Sequence, residues 1–204
     1  MKKLVKALLR LCFRQPAIRN AVVNVLAREG WVAGIRTSPL GSETARRRAV
    51  LSPFCQGDGV DLGFGGDAIN ETAIRVDLPQ PYATGVQPTQ LAGDAADLRW
   101  FKDGVLDYVY SSHLLEDFAD TPGVLREWLR VIRPGGHLVI LCPDEARYRT
   151  FCDTQGHPYN GHHVHADFSL AKIRAHLAAL GQTAVVHEDN NVGDYGWEIV
   201  VKVR

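Results

Sequence analysis

The sequence predicts an α/β domain: a mostly parallel, seven-stranded sheet with helices on both faces and a C-terminal antiparallel hairpin. Three observations carry this. From Gly59 onward, short apolar runs alternate with helical stretches, as in a parallel sheet covered on both sides. The first run ends on Asp61-Leu62 and passes at once into the glycine turn Gly63-Phe64-Gly65-Gly66-Asp67. The last two runs, near Thr183 to His187 and near Trp197 to Val203, are joined by a polar loop from Glu188 to Gly196, so they can pair antiparallel.

At 204 residues and 46% apolar content, the chain has material for one globular domain with a full core. Its zero net charge hides an asymmetry: the first fifty residues hold eleven basic side chains against Glu29 and Glu43, a balance of +9 that leaves −9 for the remainder. Residues 1–48 therefore read as a basic amphipathic helical extension and linker, and residues 49–204 as the domain proper. Leu4, Leu8, Leu11, Ala21, Val22 and Val25 have helical spacing, interrupted near Pro16. Lys6, Arg10 and Arg14 break any apolar run long enough for a signal peptide or a membrane span. A cytoplasmic protein is expected. A helical extension packed on the domain is the plain reading of this start, and peripheral attachment to the anionic inner face of a membrane is the sharper one. Residues 34–48, with Pro39, Gly41 and Arg46-Arg47-Arg48, look like an exposed linker. Cys12, Cys55, Cys142 and Cys152 lie far apart without paired spacing, so reduced, structural thiols are expected.

Taken in order, the stretch from Val60 to Asp67 is a buried first strand that ends on a carboxylate and runs into a loop whose glycines 63, 65 and 66 permit positive φ where a ligand can approach the backbone. Thr72 to Val76 forms the second, ending on Asp77, a carboxylate able to accept both hydroxyls of a ribose. Pro79, Pro81 and Pro88 then favour an irregular loop. Gln90 to Gly93 is a short third strand ending at Asp94, and Val105 to Tyr110 a buried fourth followed by Ser111-Ser112-His113. Residues 120–133 have helical spacing through Val124, Leu125, Trp128, Leu129 and Ile132, stopping at Pro134-Gly135-Gly136. The fifth strand, His137 to Cys142, follows. Phe168 to Leu180 is an amphipathic helix with Ser169 as cap and Gly181 as stop.

Together these pieces resemble the class I S-adenosylmethionine-dependent methyltransferases, over about residues 57–204, and in particular their small-molecule and carbohydrate branch (methyltransferase type 11-like). Asp61-Leu62-Gly63-Phe64-Gly65-Gly66 matches the family's glycine loop, Asp77 its ribose acid, and Gly93-Asp94-Ala95 its adenine-contact acid. Leu106 to Asp117 is similar to the branch's motif after the fourth strand, and Leu125-Arg126-Glu127 through Arg133-Pro134-Gly135-Gly136 to its helix, turn and fifth strand. The resemblance implies a Rossmann-like fold with S-adenosylmethionine as cofactor. Only sixteen residues separate Asp61 from Asp77, so the family's first crossover helix must be shortened or missing, and Asp67 stands where a third glycine often lies.

On that resemblance, Gly63 and Gly65 face the amino-acid part of the cofactor, Asp61 anchors its ammonium directly or through water, and Asp77 holds the ribose. Asp94 accepts from the adenine amino group while the Ala95 backbone reads the ring edge; Phe64, Gly66, Leu78 and Ser111 complete the implied cofactor set. His113, just past the fourth strand at the carboxyl edge of the sheet, suits a general base for an acceptor hydroxyl, with Glu116 and Asp117 able to orient it. A hydrogen-bonded scaffold role is the plainer reading. The stretch His157 to Asp167 concentrates four of the eight histidines, but their spacing fits no zinc pattern, so no metal is expected. Tyr148, Tyr159, His162 and His165 are the acceptor-side candidates. The expected reaction is methyl transfer to a small-molecule or saccharide hydroxyl, with a small-molecule or glycan acceptor as partner. The acidic body shows no basic groove with interleaved aromatics, so nucleic acid is not an expected partner. A nicotinamide-dependent oxidoreductase and a non-catalytic cofactor-binding scaffold are the rivals.

Overall fold

A computed structural model describes residues 42–79 and 88–204. The expected basic N-terminal extension, with Cys12 and the expected membrane-facing surface, and Pro81 lie outside the described residues. Among the described residues no helix is long and apolar enough to cross a membrane.

Seven strands form one sheet. β1 (Gly59–Leu62), β2 (Ile74–Asp77), β3 (Leu91–Ala92), β4 (Leu106–Ser112), β5 (Ile132–Pro143), β6 (Thr183–Val192) and β7 (Gly196–Val203) lie in the order β3-β2-β1-β4-β5-β7-β6. The five strands from β3 to β5 are parallel, and β7 runs antiparallel to both β5 and β6. Among the described residues four helices accompany them: α1 (Glu43–Leu51), α2 (Thr121–Val131), α3 (Glu145–Gln155) and α4 (Leu170–Leu180).

Side-chain alternation along the central strands shows that both faces are buried. Val109, Leu138, Ile140, Ile199 and Val201 point into a core closed by Leu125 and Trp128 of α2 and by Ile173 and Leu177 of α4. Their neighbours Tyr108, Tyr110, Val139, Leu141 and Val200 point the other way, against Leu51, Cys55, Ile69 and Ala73. The first face has two full helices over it. The second is covered by α1 and by the β1–β2 connection, which contains no helix at all. The shortened crossover expected from the spacing of Asp61 and Asp77 is thus complete.

Several expectations need correction. The helix read over residues 120–133 ends at Val131, and Arg133–Gly136 belongs to β5 as a bulge, with the register shifting between Leu106/Ile132 and Tyr108/His137. The bulge is held because Arg133 ion-pairs with Asp107 and because Gly136 leaves room under the Asp107 carbonyl. The C-terminal strands extend through most of the supposed polar loop, to Val192 and back from Gly196, because its Glu, Asp and Asn side chains stay partly or fully exposed on an edge strand. Residues 43–48 are not an exposed linker. They open α1, inside a compact unit spanning Glu43–Arg204, so the expected division at 48/49 falls within a helix.

The arginine run that suggested a linker is what fixes α1. Arg47 grips Glu198, 0% exposed, through Nε at 2.7 Å and Nη2 at 2.5 Å. Arg48 reaches Asp67 Oδ1 at 2.5 Å and the carbonyls of Ala68 and Ile69 at 3.1 and 3.2 Å, tying the helix to the glycine turn. Thr44 meets the Tyr110 hydroxyl at 3.0 Å. Cys55, Cys142 and Cys152 are free and buried, as expected.

Candidate active site

Strand ends build the site. The Gly63 amide donates to the Val76 carbonyl at 2.9 Å and the Gly93 amide to the Asp77 carbonyl at 2.9 Å, so the turns leaving β1, β2 and β3 are stitched side by side. Ser111 Oγ donates to the Leu62 carbonyl at 3.2 Å and joins the end of β4 to them. Trp128 Nε1 donates to the Ala95 carbonyl at 2.8 Å and fixes the turn after β3 from below.

A cavity of about 350 Å³ opens at this carboxyl edge. Gly63, Asp77, Leu78, Asp94 and Ala95 line one side of it, and Leu114, Asp117, Phe118, His162 and Val164 the other. A wider groove of about 1280 Å³ lies at the opposite edge, around Gly104, Pro134 and Arg204. Ligands of parallel α/β sheets collect at the carboxyl edge, and the groove's Arg130 is already committed to Glu127 and Asp103, so the smaller cavity is the candidate site.

Gly63 has φ 64° and its absent Cβ would stand 2.8 Å from Leu114 Cδ2, so glycine keeps the turn low against the far wall. Asp77 Oδ1 accepts from its neighbour Leu78 N at 2.8 Å and Oδ2 from Gly65 N at 3.3 Å. These bonds orient the carboxylate and leave further lone pairs for a diol. Partial burial raises the Asp77 pKa, against those two bonds, which lower it. Asp94 Oδ1 accepts from Ala96 N at 2.8 Å.

Asp61 is elsewhere. It lies beneath the glycine turn, 1% exposed, with Oδ2 accepting from Ile69 N at 2.7 Å and Oδ1 buried without a hydrogen-bond partner. Burial pushes its pKa well above the carboxylate range. It does not line the cavity, and neither do Phe64, Gly65, Gly66 or Ser111, which form and anchor the turn behind Gly63. Five of the ten expected cofactor contacts, Gly63, Asp77, Leu78, Asp94 and Ala95, are nevertheless brought together.

The acceptor-side expectations divide. His162 lines the cavity. Tyr148 does not: its hydroxyl accepts from Asn160 N at 2.8 Å and its ring lies 4.7 Å from His163 and 5.2 Å from Tyr195. Tyr159 is 46% exposed, bound to Asp153 Oδ1 at 2.5 Å beneath Arg149, and is placed on the surface. His165 holds the loop instead of lining the site. Its Nε2 sits 2.8 Å from the Phe118 carbonyl, which can only accept, so that nitrogen carries the proton.

His113 adopts φ 52°, unusual for a side chain larger than glycine, with its amide donating to the Leu141 carbonyl at 2.8 Å. Its chain neighbour Leu114 lines the cavity, and its own ring belongs to a second cluster with Tyr195 (6.4 Å, edge-on) and Glu116 (3.9 Å). Desolvation in its packed surroundings lowers its pKa to about 4, so it is a neutral imidazole at pH 7. Glu116, 1% exposed, is pushed up to about 8 by burial and by Asp117 nearby.

Sequence reading missed His163. Its Nδ1 lies 2.8 Å from Glu145 Oε2, and its Nε2 3.7 Å from Glu116 Oε1. Arg149 donates to the other Glu145 oxygen at 2.7 Å. Of this group the sequence showed Glu116, as a possible partner of His113, and the crowding of histidines in residues 157–167, but not the link between them.

A sheet with only β7 reversed, and a cavity where glycine and two strand-end carboxylates converge, define a nucleoside-cofactor enzyme of the class I methyltransferase architecture. The chain belongs to the methyltransferase-domain family, whose model matches residues 19–140. No curated protein matches the chain. Among solved structures it is similar to a chain in the complex of the Haloferax volcanii Trm112 methyltransferase activator with a methyltransferase (18% identity, 79% of this chain and 89% of that one, TM-score 0.58). It is also similar to an S-adenosylmethionine-dependent methyltransferase from Archaeoglobus fulgidus (17%, 79% and 95%, 0.56) and one from Mesorhizobium loti (15%, 79% and 98%, 0.56). At these identities the likeness speaks for the fold. The protein is thus an enzyme, a methyltransferase whose cofactor is S-adenosylmethionine. The residues fit that cofactor: the cradle at Gly63 is one a Cβ would fill, and the Asp77 carboxylate keeps acceptor capacity facing the cavity.

Proposed function

We propose that this methyltransferase methylates a hydroxyl of a small molecule or saccharide, as expected for the branch its Leu106–Asp117 segment resembles. The observation that carries this reading is that His113, a neutral imidazole, directly precedes Leu114 in the cavity wall, because a hydroxyl acceptor gains most from a proton acceptor nearby. Asp77 takes the ribose hydroxyls, Asp94 and the Ala95 backbone take the adenine, and Gly63 lets the amino-acid part lie close to the chain. When bound, the cofactor supplies a methyl group on a sulfonium, already a strong electrophile. The protein's own task is alignment and exclusion of water, for which Leu114, Phe118 and Val164 form the apolar wall. His113 receives the hydroxyl proton as the nucleophilic oxygen is brought into line, and His162 contacts the acceptor.

The charge asymmetry of the chain further supports a cytoplasmic location with the N-terminal segment resting on an anionic membrane face. The test of the reaction is methyl transfer from labelled S-adenosylmethionine to a panel of hydroxylated metabolites, saccharides, amines and carbon acids. Transfer confined to amines or carbon acids would overturn the hydroxyl assignment, and binding of S-adenosylhomocysteine by calorimetry checks the cofactor half separately.

A further inference from the structure

We propose that Glu116, Asp117 and His163 bind a single divalent first-row transition-metal cation beside the cofactor cavity. Glu116 and Asp117 come from the 3₁₀ turn Leu115–Asp117 after β4, His163 from the loop between α3 and α4, and one donor atom from each lies within 4.8 Å of the others. Ligands about 2.0–2.2 Å from one ion stand roughly 3–4.4 Å apart. The 3.7 Å between His163 Nε2 and Glu116 Oε1 is in that range, and it is too long for a direct hydrogen bond.

Two features show that the group is shaped for a ligand. The first is the tautomer of His163. Glu145 is an acceptor already held by Arg149, so the proton of its 2.8 Å contact sits on His163 Nδ1, and the bare lone pair of Nε2 is turned toward Glu116. A carboxylate behind one imidazole nitrogen is the arrangement that orients histidine ligands and raises their basicity. The second is Glu116 itself. It is 1% exposed, and its Oε2 is buried with no hydrogen-bond partner. A buried carboxyl oxygen with no partner is unfavourable, and a cation beside it offsets that cost. One imidazole and two carboxylates suit Mn²⁺, Fe²⁺, Co²⁺ or Zn²⁺ better than Mg²⁺ or Ca²⁺, which favour oxygen alone. Asp117 also lines the cavity, so the ion lies within reach of a molecule held there. No sequence spacing could show this, because the donors meet only through the fold.

The test does not depend on the acceptor or on methyl transfer. Tag-free full-length chain, freed of metal with a chelator, is titrated with Mn²⁺ while the resonance of the free ion is followed by electron paramagnetic resonance, and Zn²⁺ is added in competition. Uptake of one Mn²⁺ per chain, displaced by Zn²⁺, is expected. Glu116→Gln and His163→Gln should each weaken uptake by about 100-fold or more, and Glu145→Gln by roughly 10- to 100-fold. Asp103→Asn, at an 80% exposed side chain, should change nothing. Absence of stoichiometric uptake by the wild-type chain overturns the proposal, and so does uptake that folded Glu116→Gln and His163→Gln chains retain. Should either of those variants fail to fold, Asp117→Asn decides in its place, with unchanged uptake counting against the site.

Discussion

Asp61 and Asp77 end neighbouring strands with the same side chain and differ in what surrounds them. Asp77 faces the cavity with its oxygens only partly committed, so Asp77→Ala should weaken S-adenosylhomocysteine binding by about 10- to 150-fold, the loss of charged hydrogen bonds worth about 1.5–3 kcal/mol, while the melting temperature hardly moves. Calorimetry with thermal denaturation reads both; a collapse of the fold would make this acid structural. Asp61, beneath the turn, has its proton held by burial well above the carboxylate range. A raised folded-state pKa contributes stability that is complete at acid pH and is lost as pH climbs through that value. Asp61→Asn keeps an oxygen for the Ile69 amide and has no charge to bury. Its melting temperature should therefore fall less than the wild type's between about pH 5 and about pH 8; parallel curves would assign the loss to another group. His113→Ala should reduce kcat by about 10²- to 10⁴-fold with S-adenosylhomocysteine affinity unchanged, and an unchanged kcat would remove it as the base.

At the level of elements, the β5 bulge is tightly constrained by backbone atoms. A methyl group at Gly136 would stand 2.5 Å from the Asp107 carbonyl oxygen and 2.6 Å from Ile132 Cγ2, and a backbone atom cannot swing aside. Gly136→Ala should cost about 1–3 kcal/mol, a drop of roughly 2–12 °C in melting temperature; a drop below about 1 °C would show that the bulge relaxes. The same bulge explains what the sequence concealed. Pro134-Gly135-Gly136 has the chemistry of a stop, and only the cross-strand Asp107, remote in sequence, turns it into part of a strand. Asp77 and Asp94 were legible because a strand followed by loop punctuation puts its last acid at the sheet edge whatever the tertiary detail. Asp61 was misplaced because burial beneath a turn depends on Ile69 and Arg48 folding over it. Ser169 and Gly181 were read correctly for a local reason: a cap bonds within its own helix, here to Lys172 N, and a stop needs only its own left-handed backbone.

For the molecule as a whole, the contact between Arg47 and Glu198 joins the first described helix to the last strand. Removing the guanidinium leaves a fully buried carboxylate with His187, at 2.7 Å, as its nearest compensation. Arg47→Met should therefore destabilise the protein by about 3–5 kcal/mol, readable as a lower urea midpoint, and an unchanged midpoint would show that His187 alone suffices. This long-range pairing is also why the arginine run looked like a solvated linker: its partners lie at the far end of the chain. The sheet order carries a related consequence for biosynthesis. β5 finds one neighbour in β4, made before it, and the other in β7, made only after α3, α4 and β6. Through most of translation the long edge of β5 has nothing to zip against. A nascent chain stalled before Gly196 would present an open apolar ribbon to other chains, and chaperone dependence should peak at that length.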